Sequence, residues 1–135
     1  MPTEIINCRR SFQVWGYAVS HGELLLRSTK SREFSTRIDV FLKGVAEFHL
    51  PTTFDGLSIK EATPEDLEPL PLLRSAMSLR HGRKIFIVEG NEFVGYVAAL
   101  GLWCHEDDGE YYEPSYFLTC IRNGVPTERY GGDLE

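Results

Sequence analysis

Between Ser11 and Val19 the chain alternates, with Gln13, Trp15, Tyr17 and Val19 falling to one side and Phe12, Val14, Gly16 and Ala18 to the other. Aromatic and β-branched residues at period two predict a strand. Ser20-His21-Gly22-Glu23 predicts a turn, and Glu23–Arg27 returns as the second strand of a hairpin. Ser28–Thr36 is polar and predicts a loop. Arg37–Lys43 then sets Ile38, Val40 and Leu42 on one face and Arg37, Asp39 and Lys43 on the other, with Phe41 among them. Gly44 breaks this run. Val45–Leu50 resumes it with Ala46, Phe48 and Leu50 inward, until Pro51, which has no N–H for a ladder bond, ends it. Asp55-Gly56 predicts a further turn and Leu57–Lys60 a short strand.

Around Thr63 the pattern changes. Thr63-Pro64-Glu65-Asp66 has the form of a helix start, but Pro69 and Pro71 stop any helix carried through them. A short helix over Leu72–Arg80, closed by Gly82, is the expectation. Strands then return: Ile85–Val88, a Gly90-Asn91 turn, and a long run from Phe93 to Cys104. Both faces of that run are apolar, which predicts a central strand. His105–Glu110 is predicted as an acidic loop turning at Asp108-Gly109, followed by a strand over Tyr116–Arg122 and a turn at Asn123-Gly124. Short connections imply antiparallel neighbours. The expected fold is mainly β, an antiparallel sandwich or partly closed barrel with one short helix at most.

Composition bounds this picture without changing it. A chain of 135 residues with 42% hydrophobic and 25% charged residues suits a single domain, 1–135, able to bury its own core. The three cysteines, Cys8, Cys104 and Cys120, have no CxxC spacing and give no disulfide framework, although one bridge stays open. The N-terminus lacks the basic flank and apolar run of a signal peptide, and the longest nearly uncharged stretch, Phe93–Cys104, is too short to span a bilayer. A cytoplasmic protein with no membrane partner is the expectation. Net charge is −6: residues 1–60 carry eight Lys/Arg against six Asp/Glu, and residues 61–135 carry six against fourteen. That balance makes nucleic acid a poor partner. It leaves an acidic face suited to a basic one.

Candidate chemistry is sparse. Cys104–Glu113 gathers five carboxylates, an imidazole and a thiol in ten residues. Its spacing matches no calcium loop, and no second histidine accompanies His105, so neither metal nor cofactor is assigned. The residues His105, Glu106, Asp107, Asp108 and Glu110 are read as a solvated acidic loop, with a divalent-ion site and a recognition role as the alternatives. His21, His49, His81 and His105 form no HxH or HExxH pair and read as surface residues. Ser20-His21 and Cys104-His105 are adjacent, which points their side chains apart on a strand. Cys8 beside Arg9-Arg10 reads as a thiol on an N-terminal arm. The basic stretch Arg27, Lys30, Arg32, Arg37 and Lys43 reads as a solvated loop rim diluted by Glu33 and Asp39. Aromatics exceed what is readily assigned to a core, and Trp15, Tyr17, Trp103, Tyr111 and Tyr112 are the candidate ligand or partner contacts.

Two stretches carry a resemblance. Arg37–Pro51 with Phe54-Asp-Gly-Leu57, and Gly95-Tyr-Val97 leading to Glu106–Tyr111 and Glu113-Pro-Ser115, are similar to small uncharacterised bacterial β proteins. Some proteins of that kind are encoded beside toxins as immunity proteins, which implies a binding role and carries over no catalytic residue. The sequence thus favours binding over catalysis. The leading expectation is a protein-interaction module, immunity-type or homodimeric, and the alternative is a small-ligand-binding β barrel.

Overall fold

The computed structural model describes residues 3–63, 65, 82–111, 115 and 117, apart from the side chains of residues 3 and 4. Its strands are β1 (Thr3–Ala18), β2 (Glu23–Ser28), β3 (Arg37–Lys43), β4 (Glu47–His49), β5 (Thr53–Glu61), β6 (Lys84–Glu89), β7 (Val94–Ala99) and β8 (Gly101–Asp107). They form one antiparallel sheet in the order β4-β7-β6-β5-β1-β2-β3-β8. A mainly β, antiparallel fold is therefore what the alternating pattern encodes.

No ladder joins β4 to β8, so the sheet is not closed through its end strands. It is bent back on itself because β3 leads into β4 past Gly44 and β7 into β8 past Leu100. The β3–β8 ladder ends at Lys43↔Gly101 and the β4–β7 ladder begins at Glu47↔Ala98. Between them the Leu100 N–H donates to the Lys43 carbonyl and the Ala46 N–H to the Ala98 carbonyl, both at 2.9 Å. Four residues advance on one strand against three on the other, a bulge that bends the long pairing. The Tyr96 hydroxyl ties β7 to β4 through Glu47 Oε2 at 2.7 Å.

Curling gives the sheet an inner and an outer face. Phe12, Leu26, Val40, Ile59, Val88 and Leu102, from six different strands, meet in one inner core. Two smaller clusters are buried outside it: Ile85, Ile87, Tyr96 and Ala98 on β6–β7, and Leu25, Phe41 and Phe117 over β2–β3 with Trp15 and Trp103 beside them.

Several expectations need correction. β1 starts at Thr3, eight residues before the alternation that announces it, and its first half pairs with β5 from Thr3↔Glu61 to Gln13↔Thr53. Bulges between Glu4 and Ile6 and between Cys8 and Ser11 break the period, which hides this strand from pattern reading. Cys8 is consequently a buried residue of the inner core rather than part of an arm, and Cys104 is buried in the same core. Phe93–Cys104 is not one central strand. It divides at Leu100, β7 lying inside the sheet and β8 at its end. The expected helix over Leu72–Arg80, the Asn123-Gly124 turn, His81, Tyr112 and Cys120 lie outside the described residues, as does the strand expected over Tyr116–Arg122 except for Phe117, which is helical rather than extended.

Candidate functional site

Across the outer face, cross-strand register builds rows of facing side chains. Arg27 opposes Asp39, which opposes His105, and Leu25 opposes Phe41, which opposes Trp103. The Arg27 guanidinium donates to both Asp39 oxygens, at 2.7 and 3.1 Å, and to the Tyr111 carbonyl at 3.1 Å. Its planar face lies 4.6 Å from the Trp15 ring centroid, and Tyr111 packs edge-on against the same indole. Arg37 repeats the arrangement one rung on, donating to both Asp107 oxygens at 3.2 Å and to the Glu110 carbonyl at 3.0 Å. A Cβ on Gly109 would lie 2.5 Å from Arg37 Cζ, so a side chain there would push the guanidinium aside.

Burial opposes the charged form of Asp107, but the Gly109 N–H, the Arg37 guanidinium and His105 together outweigh it and hold the carboxyl below the usual carboxylate range. On the inner side, Arg10 donates to Ser28 Oγ at 3.1 Å, to Thr36 Oγ1 at 2.9 Å and to the Thr36 carbonyl. The Phe34 ring covers it at 4.3 Å, and Glu106 lies 3.9 Å away. Arg10, Arg27 and Arg37 are each 2% exposed or less.

These pairings overturn two sequence expectations. The acidic stretch is not a solvated loop from its start: His105, Glu106 and Asp107 belong to β8, and Glu106 and Asp107 are partly buried against basic partners. Asp108 and Glu110 are the exposed members. The basic stretch is not a solvated rim either, since Arg27 and Arg37 are buried by the carboxylates opposite them. Charges at facing register positions neutralise one another, and the partners lie 12 residues apart for Arg27 and Asp39 and 70 for Arg37 and Asp107, so a linear reading misses them. Among the described residues no group of three or more His, Cys, Asp or Glu is placed to hold a metal ion.

Beside the Arg27 row lies a pocket of about 260 Å³. β1 contributes Trp15 to Ala18, β2 Glu23 and Leu25, and β3 Phe41, while Ser115 and Phe117 complete it. Phe117 is fully buried and stacks on Phe41 at 5.2 Å. Among the described residues the pocket wall is apolar and aromatic apart from Glu23 and Ser115. The Oε2 atom of Glu23 is buried and makes no hydrogen bond, the one such side-chain atom among the described residues. A larger hollow of about 600 Å³ with a mixed polar and apolar lining lies elsewhere, between β1, β5 and the β6–β7 turn. There Ser11 donates to Asp55 at 2.5 Å.

The pocket adjoins an exposed apolar rim. Tyr17 is 44% exposed, Val19 84%, Leu100 49% and Phe48 36%. The Tyr17 and Phe48 rings are 5.6 Å apart. Gly44, against which Leu100 packs, donates its N–H to the carbonyl of His21, two residues beyond Val19. The turn holding Val19 and the bend holding Leu100 are thus joined at one end of the sheet. Gly22, at φ 56°, makes that junction possible, because a Cβ there would lie 2.8 Å from the Val45 backbone.

Of the residues singled out from sequence, Trp15 and Tyr17 line the pocket, Trp103 packs on Phe41 at 6.1 Å, and Tyr111 packs on Trp15. His21 and His49 are exposed, and Cys104 and His105 face opposite sides of β8. Glu23, Phe41 and Phe117 were not legible as site residues. Nothing local marks them, since register and chain return bring them to Trp15. No protein-family model, no curated protein and no solved structure matches this chain. No helix among the described residues is long and apolar enough to cross a membrane.

Proposed function

We propose that this protein is a non-catalytic binding module that docks another protein on the outer face of β1–β2 and the rim beside it. The observation that carries the reading is an exposed apolar rim, with the Tyr17 and Phe48 rings 5.6 Å apart and Val19 and Leu100 also exposed, beside an aromatic pocket that Tyr17 lines. Contacts between proteins are built this way, with aromatic and aliphatic anchors around a pocket that a partner fills. Arg27, Asp39, Arg37 and Asp107 of this face are committed to ion pairs with one another, which supports a scaffold rather than an acid–base centre. A cytoplasmic setting goes with three cysteines whose spacing gives no disulfide framework. Neutralising a toxin, as the resemblance to immunity-type proteins implies, is one form of this role, and self-association is the other.

Val19→Asp combined with Leu100→Asp places two charges on the rim at positions already open to water, so the fold should persist. Crosslinking and sedimentation of both proteins provide the test. The reading expects one defined partner, foreign or a second copy, bound by the unmodified chain and lost from the double variant. Equal binding by both chains, or a strict monomer with no partner, contradicts it.

A further inference from the structure

We propose that the hollow between β1, β5 and the β6–β7 turn is a binding site for a small organic cation, an ammonium group carried on an apolar body. The proposal stands apart from the docking reading, because no residue lining the hollow belongs to the rim or to the aromatic pocket. At about 600 Å³ the space falls within the roughly 300–1,000 Å³ usual for small-molecule sites, which in barrel-like sheets sit at the mouth. It lies over one end of the inner core. Phe12 and Phe54 are core residues beneath it, half-buried Phe93 packs on Phe54 at 4.9 Å, and exposed Pro51 adds apolar surface. Its walls are already fixed. The Asn91 N–H donates to the Asp55 carbonyl at 2.8 Å and the Gly90 N–H to the Phe93 carbonyl at 3.1 Å, which pins the β6–β7 turn to β5. Across the hollow, Arg10 holds the start of the Thr29 wall through Ser28 Oγ and the Thr29 carbonyl.

Charge selects the ligand. The polar lining consists of neutral Ser11, Gln13, Thr29, Thr53 and Asn91, together with two carboxylates, Asp55 and Glu92. Both carboxylates are exposed, and among the described residues neither meets a basic group. Ser11 donates to one Asp55 oxygen and leaves the other open. The outer face differs, since Asp39 and Asp107 are each closed by a guanidinium. The cations nearest the Thr29 wall are engaged elsewhere: Lys30 pairs with Glu110 at 3.0 Å, and buried Arg10 lies under the Phe34 ring with Glu106 3.9 Å away. A concave surface whose charges share one sign concentrates counter-ions. An ammonium group answers both open carboxylates and gains further from a neighbouring phenyl ring, while its apolar body covers Phe93 and Pro51. An anion of the same shape would be repelled.

The test uses the isolated protein and three probes of one shape: 2-phenylethylamine, protonated at neutral pH, its neutral counterpart 2-phenylethanol, and the anion 3-phenylpropionate. Binding is followed by the NMR amide signals of Gln13, Asp55 and Asn91. Saturable shifts with the amine are expected, with the alcohol at least about tenfold weaker and the anion not bound. Asp55→Asn with Glu92→Gln should bring the amine down to the affinity of the alcohol and leave the alcohol unchanged. Both positions are exposed and hold no ion pair, so the fold should persist, as an otherwise unchanged amide spectrum would show. Glu92→Arg should weaken the amine and admit the anion. Equal affinity for amine and alcohol, shifts that do not saturate or that fall outside the hollow, or amine binding unaltered in the double variant overturns the proposal. The rim variant Val19→Asp with Leu100→Asp should bind the amine as the unmodified chain does, so the hollow and the docking surface stand or fall separately.

Discussion

Arg37 and Asp107 face each other at the end of the β3–β8 ladder, and their chemistry makes the molecule sensitive to acid. Asp107 has its folded pKa lowered, so its contribution is present above the unfolded value, about 3.9, and is lost as pH falls through the folded one. Charge-assisted hydrogen bonds of this kind, partly exposed, contribute about 1–2 kcal/mol. Asp107→Asn should therefore lower the urea midpoint at pH 7, and the gap to the unmodified chain should close as the pH is taken below about 4. A gap that stays constant between pH 7 and pH 3 would show that the carboxylate charge is not what holds Arg37.

Strand pairing decides what the buried charges do. Arg27 on β2 and Asp39 on β3 form a fully buried, bidentate pair, and Arg27 also holds the Tyr111 carbonyl. Removing one partner of such a pair strands the other charge in the interior, at a cost of about 3–5 kcal/mol. Asp39→Ala should reach that range in chemical denaturation, whereas Asp39→Leu with Arg27→Met should cost much less. The same elements show what the sequence could reveal. β3 alternates and β2 is a short apolar run set off by a turn, and both were readable to within a residue or two. The first half of β1 was not, because two bulges interrupt its period, and the break at Leu100 was hidden by an uninterrupted apolar run. Trp15 and Tyr17 could be singled out as surplus aromatics. Glu23 and Phe117 could not, because their meaning comes from non-local contact with those rings.

For the whole molecule, one curled sheet separates two kinds of work. Its inner face builds the core, its outer face carries neutralised charge rows and an aromatic pocket, and an apolar rim lies at one end of the sheet. Docking on that outer face is the central claim. Amide hydrogen exchange of the complex with the crosslinked partner measures it most directly. Protection should concentrate on residues 15–23 and 44–48, where the pocket and rim meet. Protection confined instead to the larger hollow around Ser11, Asp55 and Asn91 would contradict the claim and place the partner on a different surface.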